Sequence, residues 1–154
     1  MSPKVHVPCG IISGTISYFI THSPIFSISC ALSNFIFDID HVLEYLIYCI
    51  KNKQNINIKE FFSGSYFEKK NKIVLIFHGH EYVLLLLFFS LISFQFDKNL
   101  FLFFSGILTG YSEHMILDLI GNNCTFKGYS ILYRQFVHFK LELICNKKRK
   151  LQNE

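Results

Sequence analysis

Five cysteines occur in this sequence, and no two of them form a Cys-x-x-Cys pair. That spacing excludes a zinc ribbon. The scatter of Cys9, Cys30, Cys49, Cys124 and Cys145 does not read as a disulfide framework either, so they are expected to be small apolar fillers. Internal repeats and low-complexity tracts are absent, and no composition break marks a boundary between domains. The first residues lack a basic region followed by a small-residue cleavage site, so no removable signal peptide is expected. Scarcest of all is positive charge inside the apolar stretches, where Lys and Arg are nearly missing. Any acid in those stretches must find a partner other than a basic side chain.

What is present is oil, in runs. The 154 residues suffice for one core, and 51% of them are hydrophobic, with 18 Phe and 8 Tyr. Soluble domains reach a similar fraction, so distribution carries more than composition. Four apolar stretches stand out: Val7 to Ile20, Ile25 to Phe37, Ile73 to Phe96 and Leu100 to Ile120. The last two reach the ~20 residues that span a bilayer, and the first two are shorter. If all four cross, every one of the 15 Lys and Arg except Lys98 falls on one face. That is the positive-inside pattern, with the termini and the long middle loop cytoplasmic. The loop "KNKQNINIKEFFSGSYFEKKNK" mixes Lys with paired aromatics and is expected to form an amphipathic helix at the interface. The expected fold is therefore all-α: an integral membrane bundle of about four helices plus an interfacial helix. Residues 1–140 would form a single helical membrane domain, and 141–154 a basic cytoplasmic tail. The expected location is the cell (inner) membrane, with several passes.

On that topology the ionisable residues meet at one face. His6 opens the first stretch, and Asp38, Asp40, His41 and Glu44 close the second. His78 and Glu81 in "FHGHE" open the third, and His114 and Asp118 close the fourth. His114 and Asp118 are i, i+4; His78 with Glu81, and Asp38 with His41, are i, i+3; Asp40 lines up with Glu44. His80 and Glu113 fall off those faces, and His22 and His138 are expected to be ordinary surface residues. A charge at depth costs roughly 3 kcal/mol, so four acids cost on the order of 10 kcal/mol without a partner. Divalent metal ions offset that cost, and carboxylates with imidazoles suit Zn, Mn or Fe. The expected metal residues are His6, Asp38, His41, His78, Glu81, His114 and Asp118, with two ions balancing four negative charges.

At these residues the sequence resembles the predicted membrane-bound metal-dependent hydrolases of the YdjM type. Members of that family look like a His near the start, Pro-Asp-(Ile/Leu)-Asp-His, a His-containing third motif, and Gly-Tyr-x-x-His-x-x-x-Asp. Here these are His6, "FDIDH" with Phe37 in place of Pro, "FHGHE" and "GYSEHMILD". The third motif is closer to a branch carrying His-x-x-Glu, which implies His78 and Glu81 as site residues and sets His80 aside. The "YSILYRQF" segment, with Arg134, is similar to that branch's tail. The resemblance covers residues 6 to about 136 and implies a hydrolase.

The functional expectation is a metal-dependent hydrolase of an ester or phosphoester at the cytoplasmic membrane face. Asp40, Glu44 or Glu81 would act as base, and Arg134 with Lys127 would hold a phosphate. Its partners would be membrane lipid and a small-molecule or lipid-linked substrate. No nucleic acid is expected, since the basic tail "NKKRK" is already explained by orientation. The alternative is a non-enzymatic metal-binding membrane scaffold or tether.

Overall fold

The computed structural model describes residues 3–145; the basic tail from residue 146 lies outside the described residues. The described chain is built of helices: α1 (Pro3–Thr21), α2 (Pro24–Ile36), α3 (Ile39–Asn52), α4 (Ile58–Ser63), α5 (Ser65–Lys70), α6 (Glu81–Phe96), α7 (Lys98–Gly121), a 3-10 turn (Phe126–Tyr129), α8 (Ile131–Phe136) and α9 (Leu141–Ile144). Among the described residues there is no β-strand, only isolated bridges at Lys72–Lys140 and Cys124–Cys145. The chain forms two compact units. One is the chain to Phe37 with His80–Gly121, and the other is Asp38–Gly79 with the chain from Asn122.

The first unit contains α1, α2, α6 and α7. Ser23 accepts a hydrogen bond from the Phe26 amide at 3.3 Å, and Pro24 opens α2, a strong start signal. Asp97 caps α7 in the same way, accepting from the Leu100 amide at 2.7 Å. On α2 and α6 the side chains that face inward are small or polar, whereas α7 also buries Tyr111 and Met115. On α2 they are Ser27, Ser29, Cys30, Ser33 and Asn34, and on α6 Ser90 and Ser93. The large apolar residues face outward, Phe19, Ile20, Leu84, Phe94 and Ile120 each about 70% exposed. Two Gly-x-x-x-Gly pairs, Gly10/Gly14 on α1 and Gly106/Gly110 on α7, let both helices approach the α2 backbone. A Cβ on Gly110 would stand 2.1 Å from the Cys30 carbonyl oxygen, and one on Gly106 would stand 2.4 Å from that of Phe26.

In the second unit α3 repeats the inversion. It buries Asp40, Glu44, Tyr45, Tyr48 and Cys49 and exposes Val42, Leu43, Ile47 and Ile50. Tyr45, Tyr48, Cys49 and Tyr66 make an aromatic core, with Phe61 and Phe67 against it. A second core joins Ile73, Leu75, Val137 and Ile144. The middle loop is not one helix but two short ones. Gly64, at φ +69°, ends α4 and starts α5 in a conformation that favours glycine. Asn57 caps α4, and Lys69 donates to Glu60 at 2.6 Å, holding that carboxyl below its usual range.

By length and composition two helical stretches, Pro24–Asn52 and Lys98–Gly121, are apolar enough to cross a membrane. Val5–Thr21 and Glu81–Phe96 are apolar but shorter. The third apolar run differs most from expectation. Its helix begins only at Glu81, and residues 73–80 are not helical. Their amides are used elsewhere: Val74 donates to Glu44 Oε1 at 2.7 Å, Phe77 to Asp40 Oδ2 at 2.9 Å, and Ile73 to the Phe139 carbonyl at 3.0 Å. Carboxylates on α3 thus take amides that a helix would have used. The cysteine expectation also needs correction. Cys124 and Cys145, paired across an isolated bridge, form a disulfide, while Cys9, Cys30 and Cys49 are free.

Two outcomes test this description. Gly110→Ala should destabilise the protein by about 1–3 kcal/mol, because the backbone it meets cannot move aside. Gly64→Ala should cost nearer ~1 kcal/mol, from the left-handed backbone alone. Thermal unfolding in detergent compares them. Thiol titration of denatured, unreduced protein should find the three free cysteines, and reduction should release the two in the disulfide as well.

Candidate metal centres

Each unit gathers its own set of two imidazoles and a carboxylate. In the first, α1 supplies His6 and α7 supplies His114 and Asp118, whose i, i+4 spacing puts both on one face. All three side chains are essentially buried, at 0%, 0% and 1% exposure. His6 Nε2 lies 3.1 Å from Asp118 Oδ1, and His114 Nε2 lies 3.9 Å from Asp118 Oδ2. The two imidazole rings stack at 4.2 Å between centroids. One donor atom from each residue can be chosen so that all lie within 4.8 Å of one another.

The tautomer of His114 follows from its neighbour. Its Nδ1 is 2.7 Å from the backbone carbonyl oxygen of Asn34. A carbonyl only accepts, so Nδ1 carries a proton, and Nε2 is the ring nitrogen turned toward Asp118. Metal-binding histidines are commonly fixed in this way.

The second unit brings one donor atom each of Asp40, His41 and His78 within 4.8 Å of one another, with the Asp38 carboxylate beside the two rings. Asp38 Oδ1 lies 3.4 Å from His78 Nε2 and 3.9 Å from His41 Nε2, and so sits near both ring nitrogens. Behind His78, Asp40 Oδ2 accepts from Nδ1 at 3.0 Å, again turning Nε2 toward the other donors. The Asp38 and His41 side chains retain 13% and 21% exposure. This set is therefore more open than the first.

The remaining expected site residues take different positions. Asp40 and Glu44 lie one turn apart on α3, and both hold backbone amides of residues 73–78; Glu44 also pairs with Lys70. His78 lies in that non-helical segment and Glu81 opens α6, so the expected i, i+3 helical pairing is not formed. Glu81 is partly buried and belongs to the first unit. Arg134 is 2% exposed, and its guanidinium donates to three backbone carbonyls: Gly128, Leu75 and, at 2.7 Å, His78. That geometry makes Arg134 a strap on the His78 segment. Lys127, on the 3-10 turn, is exposed, as are His22 and His138.

The donor chemistry suits a borderline dication. Two nitrogens and a carboxylate oxygen per set, with no thiolate, match Zn, Mn or Fe. Two buried atoms reinforce the fit: His6 Nδ1 and Asp40 Oδ1 have no hydrogen-bond partner among the described residues. Sequence reasoning missed Asn34, whose carbonyl orients His114. It lies in an apolar run and carries no charge to mark it. Comparison with family models, with curated proteins and with solved structures finds no match to this chain.

Asp40→Ala should leave the Phe77 amide and the His78 ring N–H without their acceptor. A loss of about 1–3 kcal/mol is expected in thermal unfolding, together with metal affinity lowered ~10–100-fold. His138→Ala, at an exposed position, should stay within about 0.5 kcal/mol.

Proposed function

We propose that this chain is a membrane-embedded, metal-dependent hydrolase of an ester or phosphoester, related to the YdjM-type hydrolases its motifs resemble. The observation that carries the reading is the duplicated donor set. Each unit offers His, His and Asp, and in each one histidine is held at Nδ1 by an oxygen acceptor so that Nε2 is left to bind. One dication per set would offset the buried carboxylates. When bound, such an ion acidifies a coordinated water and stabilises charge developing on an acyl or phosphoryl oxygen.

The chain's own residues divide the remaining work. The closed set of His6, His114 and Asp118 suits an ion with a structural role, whereas the more exposed Asp38, His41 and His78 suit the reacting centre. Asp40 keeps the His78 ring oriented, and Arg134 holds the His78 carbonyl.

Membrane insertion is supported by the inversion of the helices. Small and polar residues line many of the helix contacts, and many large apolar ones face out, as expected where the surroundings are lipid. Two features disagree on orientation. The basic residues favour a cytoplasmic second unit, while the Cys124–Cys145 disulfide favours an oxidising compartment. We give the charge bias more weight, because it sums over many residues and a single disulfide can also form reversibly in the cytosol. Reporter fusions at Gly64 should therefore read inside and those at Asp97 outside. Both on one side would overturn the topology.

Metal removal tests the chemistry. At metal concentrations ~100-fold above Kd, the wild type should gain about 2.7 kcal/mol over chelator-treated protein. His78→Ala should lose hydrolysis of a nitrophenyl ester or phosphodiester and one equivalent of metal. Identical wild-type melting curves with metal and with chelator would refute the reading.

A further inference from the structure

Asn34 on α2 is fully buried in the first unit, with a side chain that nothing described explains. Its exposure is 0%, and neither Oδ1 nor Nδ2 has a hydrogen-bond partner among the described residues. A buried amide with all its polar atoms unpaired is expensive, and native proteins rarely keep one without a reason. Its location supplies the reason. The Asn34 carbonyl oxygen accepts from His114 Nδ1, which places α2 against α7 at the level of the donor set. On the other side, a Cβ built on Gly10 would stand 2.9 Å from the Asn34 Cβ. Gly10 follows His6 by one helical turn on α1. The side chain therefore starts between the helix that carries His6 and the helix that carries His114 and Asp118.

We propose that Asn34 is a metal ligand, its side-chain oxygen completing His6, His114 and Asp118 as the fourth donor of a closed site. This rests on the metal-binding reading above and deepens it. An amide oxygen is a hard, neutral donor used for divalent cations. With two imidazoles and one carboxylate it gives a four-donor shell, the number at which a structural zinc-type site closes. The complementary unsatisfied atom, His6 Nδ1, lies in the same buried set. The open set of the second unit has no matching amide among the residues described for it, consistent with the different roles given to the two ions.

The test uses the full-length chain carrying His78→Ala, so that only the first-unit set binds, and cobalt(II) as the probe. Visible absorption reports the ligand field, and titration reports Kd. Asn34→Leu should weaken cobalt binding at least ~10-fold and alter the absorption band. Asn34→Asp retains an oxygen donor and adds charge, and should bind as tightly as the parent or tighter. In chelator, Asn34→Leu should melt no lower than the parent, because it removes two unpaired buried polar atoms. A purely structural amide would instead lower that apo melting temperature. Parent-like cobalt affinity in Asn34→Leu, weakened affinity in Asn34→Asp, or a lower apo melting temperature in Asn34→Leu would each overturn the assignment and leave the metal reading standing. A parent that binds no cobalt while its first-unit set is intact would overturn both.

Discussion

A carboxylate buried among apolar helices must be paired within the chain or by an ion, and much of this structure follows from that constraint. Asp40 and Glu44 are the clearest case. They lie on the inward face of α3, and each gives one oxygen to an amide, Asp40 to one 37 residues away and Glu44 to one 30 residues away. Segment 73–78 is thereby held out of helical conformation, and His78 is presented with one ring nitrogen already engaged. Arg134 secures the same segment through its carbonyls. Donors and acceptors of one short stretch are thus satisfied by charged side chains, a pattern that fixes position at the cost of burying charge.

The first unit meets the constraint differently. Its inward faces on α2 and α6 are built mainly from Ser, Cys and Asn, with Tyr111 and Met115 of α7 beside them, and several serines return their hydroxyls to carbonyls of their own helix, as Ser27 does to Ser23 and Ser29 to Ile25. Close backbone approach at Gly10, Gly14, Gly106 and Gly110 replaces apolar side-chain packing. In such surroundings His6, His114 and Asp118 lie against one another, and His114 also against the Asn34 carbonyl.

Much of this was legible in the sequence. Apolar runs with polar markers placed α2 and α7 to within two residues and α1 with its start four residues late, and Asp38 with His41, like His114 with Asp118, could be read from helical spacing. The start of α6 could not. Periodicity sees only neighbours along the chain, and the amides of residues 73–78 are captured by α3 carboxylates far off in sequence. The Cys124–Cys145 bond was hidden for a similar reason, since a separation of 21 residues with no motif says nothing about pairing. Arg134 looked like an anion binder because its charge is visible in sequence while its burial is not. Asn34 looked like nothing, because an uncharged residue in an apolar run acquires meaning only from what lies opposite.

The strap that Arg134 places on His78 also has a temporal side. The arginine is made 56 residues after the histidine it holds. At roughly 5–20 residues per second, a nascent chain carries His78 for about 3–11 seconds with its α3 partner already synthesised and its carbonyl partner not yet in existence. During that interval only the amide anchors on α3 exist for this segment, so its carbonyl strap can form only late in synthesis.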